Sequence, residues 1–417
     1  MTAEASAREQ SQTGDVPWRN RTVQVVLAST LLAPLGVPLV APALPLVRDT
    51  FGLTDAAASL LVSAYFIVGI VVSPFVGMLA DRFGRKRILV PALFVFSIAG
   101  LSSFFAPNYA ILLGLRAIQG TAAAALFVTT VTLISDAFEG VQRNAVLGAN
   151  VAVLSFGAAI FPVLGGALAT VAWNTPFLAY AFGFPVALFA YVALDETKPT
   201  PAEQTSRNPD ATDIRAYLSG AISALSLGVA SLLTVAFLTE FILFGALVTV
   251  LPFLLTANYG LSPFYIGLVL MAAEAGAVVA ASSNGRLARL FTNGRLITLG
   301  FGCYAVSLAG LYVAPSTIFV ALSVVVFGVG LGLSMPAVDA AVSNRVTTQF
   351  RASLFGLRNS TTFLGRATGP LVFAAAATAV GYEPLMAVAA VFVGGVAVVA
   401  ALTTRKPAPI PEAEPGV

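Results

Sequence analysis

The chain has no histidine among its 417 residues, one cysteine, two tryptophans, and charge on only 10% of positions. Without an imidazole, proton chemistry near neutral pH falls to carboxylates. With Cys303 alone, neither an intramolecular disulfide nor a cysteine-based metal site can form. No glycine-rich loop ending in Gly-Lys-Ser/Thr is present, so ATP is not expected to drive the protein. Neither a nucleophile–base pair nor an HExxH helix stands out, so an enzyme is not expected, and no metal or other cofactor is called for.

What the chain has in excess is apolar sequence. Apolar residues make up 58% of it, against roughly 45–50% in soluble domains, where charge reaches about 25%. Apolar runs fall at 23–46, 58–76, 88–106, 109–134, 146–170, 175–194, 229–255, 263–284, 296–313, 317–341, 353–379 and 384–403. About 20 residues suffice for a helix to cross a bilayer, and long unbroken runs argue for helices over a barrel. The expected fold class is an all-α integral membrane protein of 12 transmembrane helices.

The links between runs set the orientation. Loops assigned to the inner face carry most of the base, including Arg82, Arg143, Arg286, Arg295 and Arg351, whereas the outer loops hold Arg48 alone. This places both termini in the cytoplasm by the positive-inside rule. The net charge of +3 is thereby accounted for without nucleic acid. Residues 1–22 read as a cytoplasmic tail without the apolar core of a signal peptide, and 404–417 as a second tail. Between a six-helix bundle at 23–194 and another at 229–403, residues 195–228 form the one long link, with Asp213–Leu218 a candidate surface helix.

The two bundles repeat. Adding 208 takes Gly52 to Gly260, Gly77 to Gly285, Arg87 to Arg295, Gly120 to Gly328, Gly157 to Gly365 and Pro162 to Pro370. Glycines, prolines and a loop arginine holding one register point to two pseudo-symmetric halves.

The stretch Gly77-Met78-Leu79-Ala80-Asp81-Arg82-Phe83-Gly84-Arg85-Lys86-Arg87 packs five charges between spans 2 and 3. It resembles the signature loop of the major facilitator superfamily, and the resemblance extends over residues 23–403. It implies the major facilitator fold, with a substrate site near the midplane between halves that rock by alternating access. It further implies that Asp81 latches onto the start of span 11, around Arg351 to Gly356, and that Arg85 pairs with Asp136. Gly77 and Gly84 are read as permitting close helix approach and a tight turn. The second-half copy has Arg289 and Leu290 where the first has Asp81 and Arg82, which leaves the latch one-sided.

Two further resemblances follow. Arg116, Gln119 and Gly120 in span 4 resemble the superfamily's R-x-x-Q-G motif, which implies proton coupling for Arg116. A guanidinium inside an apolar run costs at least about 2.5–3.5 kcal/mol, so Arg116 either faces the interior or snorkels to the interface. Gly148, Gly157, Pro162, Gly165 and Gly166 in span 5 resemble the antiporter signature of exporters, with Phe161 departing from its glycine. Small residues there permit close packing, and Pro162 bends the helix.

Among carboxylates within spans, Glu240 and Glu274 lie near mid-helix. They are read as proton or substrate carriers or as structural partners of Arg366 or Arg116. Arg366 either binds an anionic substrate or neutralises a glutamate, and Arg358 is an inner-gate or loop partner. Asp339 is expected to pair with Arg345 or cap span 11. Gln119, Tyr65 and Asn359 join Arg366 as candidate substrate ligands. Tyr65, Phe66 and Tyr304 are set against packing and lipid-facing roles. Pro34, Pro38, Pro42 and Pro45 mark span 1 as a cavity wall.

The reading is a proton-coupled exporter of amphipathic or drug-like small molecules in a prokaryotic inner membrane. Its partners are substrate, protons and the bilayer, and a monomer is expected. The alternatives are proton-coupled uptake of a small organic anion held by Arg366 and Arg358, and a receptor or scaffold that transports nothing.

Overall fold

Side-chain caps begin many of the helices. Asn20, Thr54, Asn108, Ser226 and Thr292 each accept a hydrogen bond from a backbone N–H of the following first turn, which satisfies donors that a helix cannot pair internally. In the computed structural model these helices fill residues 15–196, 226–344 and 351–403, the residues that the structure describes. Asp213–Leu218, Arg345, residues 1–14 of the first tail and the whole of the second lie outside the described residues.

Among the described residues, eleven helical segments are long and apolar enough to cross a membrane. In order, the first-half helices are span 2 at Asp55–Phe83, span 3 at Arg85–Ser102, span 4 at Tyr109–Ala137 and span 5 at Gly140–Ala169. Span 6 pairs a tight 3-10 stretch, Thr175–Phe182, with Gly183–Ala193. In the second half, span 8 runs Pro263–Leu290, span 9 Asn293–Val313, span 10 Thr317–Asn344, span 11 Arg351–Val380 and span 12 Tyr382–Thr403.

Span 1 is the exception, and its prolines explain why. The chain is helical over Arg21–Leu32, turns through Ala33–Leu35 and Ala41–Ala43, and resumes at Leu44–Phe51. Pro38 and Pro42 have no N–H to donate, so the ladder cannot continue through 36–40. Span 7 is disturbed differently: Leu227–Ile242 passes into a wide π-helical stretch, Leu243–Val250, before Leu251–Tyr259. Such widened turns are common at functional positions.

Two apolar cores form. One is drawn mainly from residues 23–194 and the other mainly from residues 229–397. Large exposed side chains such as Ile67, Val71, Val279 and Leu322 lie on the outward surface, where a bilayer is the solvent. The cores meet along span 2 against span 11 and span 5 against span 8, pairs that the 208-residue offset exchanges.

The offset is visible in the backbone. Gly52 and Gly260 both close a helix with φ at +61°, a left-handed conformation that glycine adopts without penalty. A Cβ on Gly120 would strike the carbonyl of Tyr65, and one on Gly328 that of Ala273, which is Tyr65 shifted by the same offset. Gly84 has φ at +103° and joins span 2 to span 3 with no residue between. No atom of the described residues lies within 4 Å of where a Cβ on Gly77 would stand, so among them no close approach requires the glycine.

Candidate functional site

The broken turn in span 1 supplies the first half of the site. Val40 and Ala41 both donate to the Val37 carbonyl, which leaves the carbonyls of Leu35 and Gly36 outside the helical ladder. Arg116 Nη2 donates to the Gly36 carbonyl, and Tyr180 Oη donates to that of Leu35 at 2.6 Å. Arg116 also donates to Gln119 Oε1 at 2.7 Å, Tyr180 Oη at 3.1 Å and the Leu61 carbonyl at 3.3 Å. Its guanidinium carbon lies 4.7 Å from the centre of the Tyr65 ring.

Arg116 is fully buried, so it faces the interior and does not snorkel. Among the described residues no carboxylate hydrogen-bonds to it. A cation without a counter-ion is costly in such a place, and here neutral oxygens and a ring face stand in. Gln119, named above as a substrate ligand, is fully buried, accepts from Arg116 and donates to the Phe96 carbonyl at 3.3 Å. Both ends of its amide are thus engaged inside the first half, where it holds Arg116 in place. Tyr65 is buried too, and its hydroxyl has no hydrogen-bond partner among the described residues.

In the second half the charges do pair. Arg366 donates from Nε to Glu240 Oε2 at 2.9 Å and from Nη2 to Oε1 at 3.0 Å. This forked geometry is the strong form of the interaction. Glu240 is 2% exposed and Arg366 24%. The Arg366 guanidinium is ringed by Phe244 at 5.2 Å, Phe66 at 5.6 Å and Phe363 at 5.9 Å. Phe66 belongs to the first half, so the pair sits at the boundary. The π-helical stretch in span 7 carries Phe244.

Glu274 is half-buried on span 8, within electrostatic reach of Glu240, and has no hydrogen bond or ion pair among the described residues. Asn359 is half-buried and likewise without a hydrogen bond among them. Asp339 pairs with Arg358 at 2.6 Å. The expected partner Arg345 lies outside the described residues, and the two side chains meet across spans 10 and 11.

On the face carrying the Gly77–Arg87 link, Arg85 is almost wholly buried and donates from Nε to Asp136 Oδ2 at 2.9 Å. Arg82 is exposed, lying 5.6 Å over its neighbour Phe83. The side chains of Asp81 and of residues 351–356 lie outside the described ones, and with them the expected latch.

The opposite face is closed across the halves. Pro162 and Gly166 of span 5 pack reciprocally on Gly267 and Pro263 of span 8, where added Cβ atoms would strike backbone. Gly165 abuts the Leu39 backbone of span 1 and Gly157 meets Pro34, so the span 5 glycines serve two interfaces. Tyr382 Oη donates to Asp55 Oδ2, Asp55 pairs with Arg48 at 2.9 Å, and Arg48 lies 5.4 Å over the Phe253 ring. No motif signals Asp55 and Tyr382, which are 327 residues apart. Removing the charge–hydroxyl bond by Tyr382→Phe should cost the closed face about 1 kcal/mol, a roughly fivefold change in its population. Distances between spin labels at Val171 and Val313, in a Cys303→Ser background, will read this.

Two bundles joined at one face, with opposed buried charges at their boundary, define a secondary transporter. The Major Facilitator Superfamily model matches residues 26–346 and 233–417, and the chain belongs to that superfamily. It is 27% identical over 356 residues to the bacillibactin exporter of Bacillus subtilis, covering 83% of this chain and 87% of that one. It is 31% identical over 180 residues to the quinolone resistance protein NorA of Staphylococcus aureus, covering 43% of this chain and 46% of that one. Among solved structures, a bacterial homologue of the human lysosomal transporter Spinster, inward-facing and unoccupied, superposes with a TM-score of 0.73 at 17% identity, covering 93% of this chain and 98% of that one.

Proposed function

We propose that this chain is a proton-driven exporter of amphipathic, drug-like small molecules that works by alternating access between two six-helix halves. The Gly77–Arg87 link and both termini lie on the cytoplasmic side of a prokaryotic inner membrane. The observation that carries this reading is the forked Glu240–Arg366 pair at the boundary. A proton arriving on Glu240 cancels one side of the pair and leaves Arg366 to the aromatic rings. The free energy of the boundary then depends on whether the proton is bound, which is the requirement for coupling.

Glu274, in reach of Glu240 and without a partner among the described residues, offers a second seat for a proton or for a positively charged substrate group. Arg116 sets a fixed positive charge behind the first-half wall. Export is supported by similarity to the bacillibactin exporter and to a quinolone resistance protein. Uptake of an organic anion would need Arg366 to present its fork to the cavity, and here Glu240 occupies it.

The test is accumulation of fluorescent amphipathic compounds in cells with and without the protein, repeated after the pH gradient is collapsed. Export predicts lower accumulation that returns to the level of cells lacking the protein once the gradient is gone. Higher accumulation with the protein present would point to uptake. Absence of flux with purified protein in liposomes would point to a receptor.

A further inference from the structure

Consecutive residues of span 2 touch an arginine of each half, the buried Arg116 and the partly buried Arg366. Arg116 lies over Tyr65 at 4.7 Å and Arg366 over Phe66 at 5.6 Å. Neighbours on a helix point about 100° apart, which lets one dipeptide face a different half with each ring. The two rings meet edge to face at 5.1 Å.

Phe66 makes ring contacts with the second half. It packs on Phe244 at 5.0 Å and Phe363 at 6.0 Å, and one turn along span 2 Gly69 leaves room for Phe363 at ordinary contact distance. On the other side Tyr65 is clamped. Its backbone carbonyl abuts Gly120, and its hydroxyl lies against Gly36, whose own carbonyl accepts from Arg116. A displacement of Phe66 must therefore move Tyr65 and press on the broken turn of span 1, because close-packed groups do not deform smoothly.

The repeat sharpens the point. Under the 208-residue offset Phe66 falls on Glu274 and Tyr65 on Ala273, and Arg366 falls on Ala158. The Phe66–Arg366 contact therefore has no counterpart under the repeat.

We propose that Phe66 is the positioning residue through which the Glu240–Arg366 pair controls the first half: its ring holds Arg366 on Glu240 and, through Tyr65, ties that state to Arg116 and span 1. This rests on the alternating-access reading, and it names the mechanical link within it. While the pair is closed, Phe66 is seated; when Glu240 loses its charge, Arg366 shifts against the rings and Phe66 carries the change across the boundary.

A two-by-two mutant cycle on the full chain in liposomes tests this. Spin labels at Val171 and Val313 in a Cys303→Ser background report the ratio of open to closed outer face. Glu240→Gln, which imitates the uncharged carboxyl, should shift that ratio by about fivefold or more in otherwise unaltered protein. With Phe66→Leu present it should shift it by less than about twofold, a loss of most of the coupling. Phe66→Tyr, which keeps a ring over Arg366, should restore the full shift. Phe127→Leu, which removes a ring that touches Phe363 at 6.4 Å but not Arg366, should leave it intact.

An equal shift with and without Phe66, or no shift from Glu240→Gln at all, overturns the proposal. If Phe66→Leu does not fold, as judged by gel filtration, Phe66→Met is read in its place with the same expectations. The parent reading is judged separately: proton-driven flux retained in Glu240→Gln would reject Glu240 as the proton carrier, while the cycle still decides the role of Phe66.

Discussion

Glu240→Gln should abolish transport driven by a pH gradient, down to the level of empty vesicles, while leaving exchange of substrate for substrate in place. The difference between those two assays carries the argument. The amide keeps the volume of the carboxyl and one acceptor for Arg366, so the substitution opens no hole beside the guanidinium. It cannot bind or lose a proton. If protons enter through this side chain, the gradient loses its purchase on the boundary, yet the halves can still rock around a bound substrate.

Stability should move as well. Breaking a buried charge pair by removing one partner costs about 3–5 kcal/mol when the other stays fully buried. Arg366 retains a quarter of its exposure and three ring faces, so the loss should fall toward the lower end. Thermal unfolding in detergent measures that part. Gradient-driven flux that persists in Glu240→Gln moves the proton to Glu274, and the same two assays on Glu274→Gln then decide.

How much of this was legible in the sequence depends on whether the controlling interaction is local or transmitted through packing. Helix count and repeat could be read because lipid enforces long apolar runs and because glycines at backbone contacts hold one register. The meeting of Arg85 with Asp136 followed from the resemblance, although the residues are 51 apart. For Glu240 and Arg366 the sequence left two readings open, and the structure places their side chains together.

Other features left no local trace. Apolar runs mark the part of each helix in lipid, so span 2 outruns its run by several residues at the Arg82 end. The prolines of span 1 announce a break, but not that the freed carbonyls of Leu35 and Gly36 would become ligands for Tyr180 and Arg116. Gln119, a candidate substrate ligand by sequence, has its amide turned inward, to Arg116 and the Phe96 carbonyl. Nothing in Leu243–Val250 distinguishes a π-helical stretch from an ordinary one, since its cause lies in what surrounds it.

The second large effect concerns Arg116. Under the 208-residue offset it falls on Val324, Glu240 on Leu32 and Arg366 on Ala158, so each of these three charges stands where the repeat has an apolar residue. The scaffold is duplicated and the charges are not. Arg116→Met keeps much of the length and removes all the donors. Gln119 Oε1 then loses its donor, while the Gly36 carbonyl keeps only the longer bond from Tyr180 Oη at 3.4 Å and the Leu61 carbonyl its helical bond. Each buried acceptor left unpaired costs about 1–3 kcal/mol, and water has little room to substitute at a site with no exposure. The expected outcome is a protein destabilised by about 1–3 kcal/mol, with span 1 loosened at 36–40 and transport lost even in substrate exchange. This is the contrast with Glu240→Gln, which spares exchange. Arg116→Lys should restore part of the stability, since one ammonium can reach some of those oxygens but cannot fork between them. Unfolding midpoints together with the two transport assays separate the outcomes: exchange surviving in Arg116→Met would mean that the span 1 turn is held by Tyr180 alone, and that the buried cation is dispensable to the rocking of the halves.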